Sequence, residues 1–225
     1  MVAGNSPEQV AIYGGGGFGR EVAWLISSCN VPETKYEITC FIEDKKELIG
    51  KRLNGYPVLS FSEAVGKYPE TRIVLGVGNP HSRLGIVDKV LHANLELRTI
   101  IHPGVQLSPW VEIGNGTVIC SGSVLTTNIT LGNYVQINLN CTIGHDAILK
   151  DFATLAPGVH ISGSVHVGRL VYIGTGATII NGTQDHPIEI GDGAVIGAGA
   201  CVTKSVENGV TVVGIPARPI KRTRT

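Results

Sequence analysis

The chain has 225 residues, with 18 Lys+Arg balanced by 18 Asp+Glu. A formal net charge of zero argues against nucleic acid or an anionic membrane as partner. No apolar run approaches the roughly eighteen residues of a membrane-spanning helix, and the N-terminus lacks the basic-then-apolar pattern of a signal peptide.

Met1 to Gln9 reads as a short flexible lead-in. Val10 to Tyr13 is a short apolar strand, followed by Gly14-Gly15-Gly16-Gly17-Phe18-Gly19 and a helix-like stretch from Arg20 to Ser28. A second apolar run, Tyr36 to Ile42, ends at Glu43-Asp44. A third, Arg72 to Val77, ends at Gly78-Asn79-Pro80, and a helix follows from about His81 to Ala93. Strands alternating with helices predict a small Rossmann-like parallel α/β unit over residues 1–98, with roughly three to four strands and its loops gathered at the strand C-termini. Gly14, Gly16 and Gly19 satisfy GxGxxG, a spacing that brings backbone N–H groups and a helix N-terminus to a phosphate. The same glycines also fit a purely structural turn, and the unit is small for a dinucleotide.

From Ile101 to Ile179 fourteen aliphatic residues recur at a strict spacing of six, and the series resumes at Ile190, Ile196 and Val202. Helices repeat near 3.6 residues and half-buried strands at 2. A period of six is instead the hexapeptide repeat of a parallel β-helix, each unit one short strand plus a corner. Small or β-branched residues four positions after the aliphatic, such as Val105, Val135, Cys141, Ala147 and Ala153, fill the remaining inward places. Three units make a coil of eighteen residues, so residues 99–225 predict roughly five to six coils plus a cap. The gap from Ile179 to Ile190 holds five extra residues, which place an outward loop around Thr183 to Pro187. After Val206 the period breaks and the chain is expected to cap the open end, with Lys221, Arg222 and Arg224 as a solvated basic tail. The five cysteines (Cys29, Cys40, Cys120, Cys141 and Cys201) lack CxxC or Cys/His metal spacing. They predict unpaired packing thiols, a reducing cytoplasmic setting and no metal site.

The glycine-rich N-terminal unit, the hexapeptide solenoid and the closing Val213-Gly214-Ile215-Pro216-Ala217 segment occur in this order over nearly the whole chain. With Ile143-Gly144-His145-Asp146 and Asp151-Phe152-Ala153-Thr154-Leu155-Ala156-Pro157-Gly158, they resemble the bacterial sugar O-acyltransferase and nucleotide-amino-sugar N-acetyltransferase family. The resemblance implies a left-handed β-helix, a homotrimer, acetyl-CoA as co-substrate and a catalytic histidine at a subunit interface. It implies a UDP- or GDP-linked amino sugar as acceptor, with its diphosphate near Gly15, Gly16 and Gly17 and Phe18 beside the sugar. Glu43 and Asp44 would lie near the base or ribose, with Gly78 and Asn79 as another wall. It also places Thr175 and Ala198 near the pantetheine. Many family members carry histidine at the positions of Phe18 and Thr154, so these two departures bear on which sugar is used.

The residues support the same histidine independently. His145 lies two positions beyond the inward Ile143, which aims it outward, and eighteen positions on stands Gly163 in the next coil. A base beside a residue without a side chain offers room for a slender ligand and an N–H for a developing oxyanion. Asp146 could fix the imidazole tautomer; the two could also form a merely polar corner. Gly163 and then Asn181 continue the column along which CoA would lie, and the Thr183 to Pro187 loop is expected either to wall that groove or only to contact the next subunit. His81, His102, His160, His166 and His186 read as surface residues, His160 and His166 as corners. The function that results is acetyl transfer to a sugar amine with His145 as general base. A sugar O-acetyltransferase of the sialic acid type and a non-catalytic solenoid scaffold are the alternatives.

Overall fold

The computed structural model describes residues 6–220, so the proposed lead-in up to Asn5 and the basic tail from Lys221 lie outside the described residues. The lead-in proves shorter than expected. Strand β1 (Glu8–Tyr13) already includes Glu8 and Gln9, because Glu8 is held by Arg72 at 2.8 Å on the neighbouring strand. Helix α1 (Gly17–Cys29), β2 (Tyr36–Ile42), β3 (Arg52–Leu53), β4 (Tyr56–Leu59), α2 (Phe61–Lys67), β5 (Arg72–Leu75) and α3 (Pro80–His92) complete the unit. The sheet runs β3-β4-β2-β1-β5, all parallel except the β3–β4 hairpin. Its central strands are buried on both faces, as the continuous apolar runs require.

The hairpin and α2 were not anticipated, although both have local signals. Asn54 and Gly55 take φ of 46° and 86°, the two left-handed positions of a tight hairpin turn. Ser60 and Glu63 form a reciprocal capping box at the start of α2.

The rest of the chain is a left-handed parallel β-helix with three faces of six, five and eight strands. Register follows the period of six: Leu125, Ile143, Ile161 and Ile179 stack on the six-stranded face. The five-stranded face follows with Leu131, Leu149, Val167 and Ile190, and the eight-stranded face with Ile137, Leu155, Ile173 and Ile196. Val165 pairs with Ile188, a spacing that accommodates the five-residue insertion without disturbing the stack. The aliphatics and the small residues Val135, Cys141, Ala147 and Ala153 fill one continuous core. Burial pushes the Cys120 thiol up to about 12 and Cys141 up to about 11, so both remain protonated packing groups. All five thiols are unpaired.

Leu107 departs from the inward pattern. It is 41% exposed, because it belongs to the first coil, which has no layer beneath it on that face. At the other end, Thr211–Val213 still pairs parallel with Val195–Ile196, and the antiparallel Arg218–Pro219 then ends the stack. A reversed edge strand of this kind blocks further parallel addition.

The α/β unit packs beside the solenoid. Helix α1 shares a core with Ile100, Val118 and Cys120 of the eight-stranded face. Helix α3 shares another with Phe152. Phe152 is a corner residue in the left-handed region (φ 63°), stacked on Tyr134 (φ 60°) with ring centroids 4.9 Å apart. These aromatics carry the cost of positive φ because their side chains fill the joint with α3.

Candidate functional site

His145 stands at the corner leading from the six-stranded to the five-stranded face. Its side chain is 62% exposed, so it points outward as the spacing requires. Asp146 follows in the left-handed conformation (φ 59°), flanked in the same column by Asn128 (φ 54°) and Ser164 (φ 52°). This geometry returns the carboxylate to the imidazole, with Nδ1 and Oδ2 2.8 Å apart. Asn128 Nδ2 donates to the other oxygen at 3.3 Å. These bonds, that from His145 foremost, hold the Asp146 carboxyl below its ordinary range. An ionised carboxylate only accepts, so Nδ1 carries a proton and Nε2 of the neutral ring is left as the acceptor.

Gly163 lies above the ring. A Cβ there would collide with Cε1 and Nε2 of His145, and the Gly163 N–H has no acceptor among the described residues. Asn181 is exposed in the next coil, where Gly182 donates its N–H to Gly163 O at 3.0 Å. Thr175 and Ala198 also stack, Gly199 N–H bonding Thr175 O at 2.8 Å. They occupy the corner between the eight- and six-stranded faces, across a face from His145. One chain therefore does not bring them beside the imidazole.

Most of the other sequence-predicted residues gather in a cavity of about 490 Å3 at the C-terminal ends of β1 and β2, walled by Gly16, Gly17, Phe18, Glu43, Asp44 and Gly78. Gly15 does not face it: its N–H donates to Glu43 Oε2 at 3.0 Å. Asn79 accepts from Ser82 N–H to cap α3 and faces an adjoining cavity of about 720 Å3, which also holds His81 and Tyr172. Gly78 walls both.

The glycines divide by what surrounds them. A Cβ on Gly19 would strike Gly14 O, and one on Gly76 would meet the Gly19 Cα at 2.9 Å, so close approach of α1 to the sheet requires both. Gly14 also has φ 113°. Gly16 and Gly17 have no atom within 4 Å of an added Cβ. The fold does not require them to be glycine, and the space beside them belongs to the cavity.

Two groups escaped sequence reasoning. Tyr13 and Lys89 hold Asp44 at 3.0 and 2.8 Å; Tyr13 ends a parallel strand, the usual ligand edge of such sheets. Arg83 is fully buried at the joint. It donates to the carbonyls of Val77, Gly78, Tyr134, Phe152 and Ala153 and to Gln136 Oε1 and Thr154 Oγ1. Thr154 is itself buried and donates to Gly78 O at 3.0 Å. Its hydroxyl serves the joint and does not reach outward.

His160 and His166 lie on strands, not corners. His160 bonds Thr142 Oγ1, and His166 pairs with Glu189, each at 2.8 Å. His102 Nδ1 accepts Gly104 N–H, and His186 lies in the exposed extra loop. No cluster of metal-ligating side chains occurs among the described residues, and no described helix is long and apolar enough to cross a membrane.

The chain is 35% identical over 219 residues to a GDP-perosamine N-acetyltransferase of Escherichia coli O157:H7, covering 95% of this chain and 97% of that protein. It belongs to the hexapeptide-repeat sugar acetyltransferases. The PglD N-terminal domain family matches residues 9–90 of this sugar acetyltransferase. WeeI from Acinetobacter baumannii AYE has the same fold, at 36% identity and a TM-score of 0.88, with 94% of this chain and 100% of that one covered. The acetyltransferase domain of PglB from Neisseria gonorrhoeae FA1090, solved in complex with acetyl coenzyme A, superposes at a TM-score of 0.85 with 30% identity, covering 96% and 100% of the two chains.

Proposed function

We propose that this acetyltransferase moves the acetyl group of acetyl-CoA to the amine of a nucleotide-linked amino sugar, with His145 as general base. The observation that carries the reading is the outward His145 ring, anchored at Nδ1 by Asp146 and overlain by a glycine without which the ring would not fit. In this scheme Nε2 takes the proton from the sugar amine as it attacks the thioester carbonyl. The Gly163 N–H receives the developing oxyanion, and the imidazolium returns a proton to the departing thiolate. The ionised Asp146 holds the productive tautomer and stabilises the imidazolium. GDP-perosamine, named for the E. coli relative, and its UDP-linked counterparts define the acceptors to try. Incubation of the enzyme with acetyl-CoA and a panel of GDP- and UDP-linked amino sugars, following free thiol, tests the reading. Release of thiol only with sugars that lack an amine would overturn it in favour of O-acetylation.

The nucleotide is assigned to the glycine-rich cavity, its diphosphate at Gly16, Gly17 and the free N–H groups of the first turn of α1, which has no acidic side chain. Gly15 is set aside, because its N–H is already bonded to Glu43. Gly17→Val should leave the melting temperature within about 2 °C while raising the nucleotide-sugar KM about tenfold, the loss of roughly one charge-assisted bond. An unchanged KM places the diphosphate elsewhere.

His145 and this cavity lie at different edges of one protomer, so the reading needs a second copy to complete the site, as a homotrimer would. The extra loop is a compact turn closed by Thr183 and His186, bonded N–H to O both ways at 3.0 and 3.2 Å. It leaves the solenoid two coils beyond His145, about 10 Å along the axis, and is assigned as a wall of the CoA groove. Deleting Thr183 to Pro187 is expected to raise the acetyl-CoA KM severalfold and leave the nucleotide-sugar KM alone. Unaltered acetyl-CoA kinetics reject this role.

A further inference from the structure

The six-stranded face of the solenoid presents no charged side chain among the described residues. Its outward positions, one per coil, are Gln106, Val124, Thr142, His160, Thr178 and Cys201. Gln106, Thr142 and His160 are exposed and the other three half-buried. The remaining faces differ. Glu112, His166 and Glu189 point outward from the five-stranded face. On the eight-stranded face the α/β unit covers Val118, Gln136 and Thr154. A column of small uncharged side chains has the composition of an interface core, from which charge is depleted.

The position of His145 says which partner fits. His145 stands at one edge of this face. The opposite edge borders the eight-stranded face, which carries the α/β unit and its cavity. A site completed by a second copy brings the His145 edge of one protomer to the opposite edge of the next, a head-to-tail contact that closes into a ring. Three prisms closed in this way turn the face between those edges inward. Six residues at about 3.3 Å limit each side of the prism to about 20 Å. The three inner faces then lie no more than about 6 Å from the axis.

We propose that three copies turn their six-stranded faces to a common axis, where their His160 imidazoles form a cluster whose protonation opens the assembly. The proposal rests on the acetyl-transfer reading for its second copy and adds to it a control by pH. Thr142 Oγ1 holds His160 Nδ1 at 2.8 Å, which fixes the ring and leaves Nε2 without a partner in its own protomer. Thr178 stacks on the other side. Cys201 is the other titratable group on the face. The His145 edge carries Asp146, already paired with His145, together with Lys204 and, in the extra loop, Asp185 and His186. The opposite edge carries only His102, in the first coil. No carboxylate on the face itself can therefore balance three imidazolium charges.

Separate imidazoles take up protons near pH 6.5. In the cluster each charge opposes the next away from bulk water, so the assembled state binds fewer protons. Assembly is then favoured above about pH 6.5 and lost as the pH falls through it.

Sedimentation from about pH 8 to about pH 5.5 tests this. The wild-type protein should be trimeric at the upper end, and its dissociation constant should rise at least tenfold per pH unit below about pH 6.5, the linkage of one proton. His160→Gln should remain trimeric throughout, with kcat at about pH 8 within about twofold of wild type, because the residue lies outside the reaction. His160→Lys should be dissociated at every pH. Of the five thiols Cys201 alone is not buried, so a short bis-maleimide should link two wild-type chains and leave Cys201→Ser unlinked. An acid transition that persists in His160→Gln, or a trimer whose Cys201 thiols fail to cross-link, overturns the proposal. A trimer that shows both behaviours yet transfers no acetyl group would keep the axis and reject the acetyl-transfer reading. Acetyl transfer without the cross-link would reject the axis alone.

Discussion

His145→Ala should lower kcat by about 10²-fold or more, the contribution of a positioned general base, with the melting temperature unchanged. The side chain is mostly exposed, and its hydrogen bond goes to the equally exposed Asp146, so its removal takes no support from the core. The KM values for both substrates should move little, because in the proposed mechanism the proton passes to Nε2 only as the bond to the acetyl carbon forms. That split between kcat and KM separates a base from a groove-lining residue, whose loss weakens binding at full turnover. Asp146→Ala should fall in the same direction by a smaller factor, since the imidazole remains but loses the partner that fixes its tautomer. A loss of under threefold for His145→Ala would remove the histidine from the chemistry. The reaction would then depend on approximation of the two substrates alone.

The solenoid was legible because its period is a geometric statement. A residue every sixth position must face inward, so the direction of every intervening side chain and the identity of its neighbour one coil away follow by counting. This is why His145 could be placed outward and under Gly163 before any coordinates, and why the insertion between Ile179 and Ile190 could be read as a bulge. The resemblance, not counting, set Thr175 and Ala198 near the pantetheine; the column they share occupies a different corner of the prism from His145. The α/β unit was less legible. Its strands are continuous apolar runs and its helices short, and α2 with the β3–β4 hairpin passed unnoticed although Ser60, Glu63 and Asn54-Gly55 mark them. The GxGxxG spacing did not reveal which glycines the backbone requires. Gly19 and Gly76 are fixed by main chain pressed against them, whereas Gly16 and Gly17 face empty space, a distinction that only three dimensions supply. The joint was illegible altogether. Arg83 reads as an ordinary helix-surface cation, and most of its acceptors lie 51 to 71 residues away in the chain.

Arg83→Met should cost about 3 kcal/mol or more, because the shorter, apolar methionine keeps the stem's packing but strands several buried acceptors. For a chain of this length that corresponds to a fall in melting temperature of roughly 6–12 °C. Burial pushes the guanidinium down to about 9, still above neutrality, so the native side chain is charged at pH 7. No carboxylate among the described residues is bonded to it; five main-chain carbonyls and the oxygens of Gln136 and Thr154 surround the charge instead. That arrangement ties the Val77-Gly78 segment, which walls both cavities, to two successive coils of the solenoid. Gln136 Nε2 reinforces it by donating to Leu75 O at 3.1 Å, and Thr154 by its bond to Gly78 O. If the reaction needs the sugar delivered from one element to a base on another, slack in this joint should appear as misplacement of the nucleotide sugar. The variant, assayed well below its melting temperature, should raise the nucleotide-sugar KM while acetyl-CoA, assigned above to the solenoid alone, keeps its own. Thr154→Val removes only one of these contacts and should show the same selective KM change with a smaller loss of stability. Equal effects on both KM values would mean that the guanidinium supports the fold generally and does not set the position of the acceptor.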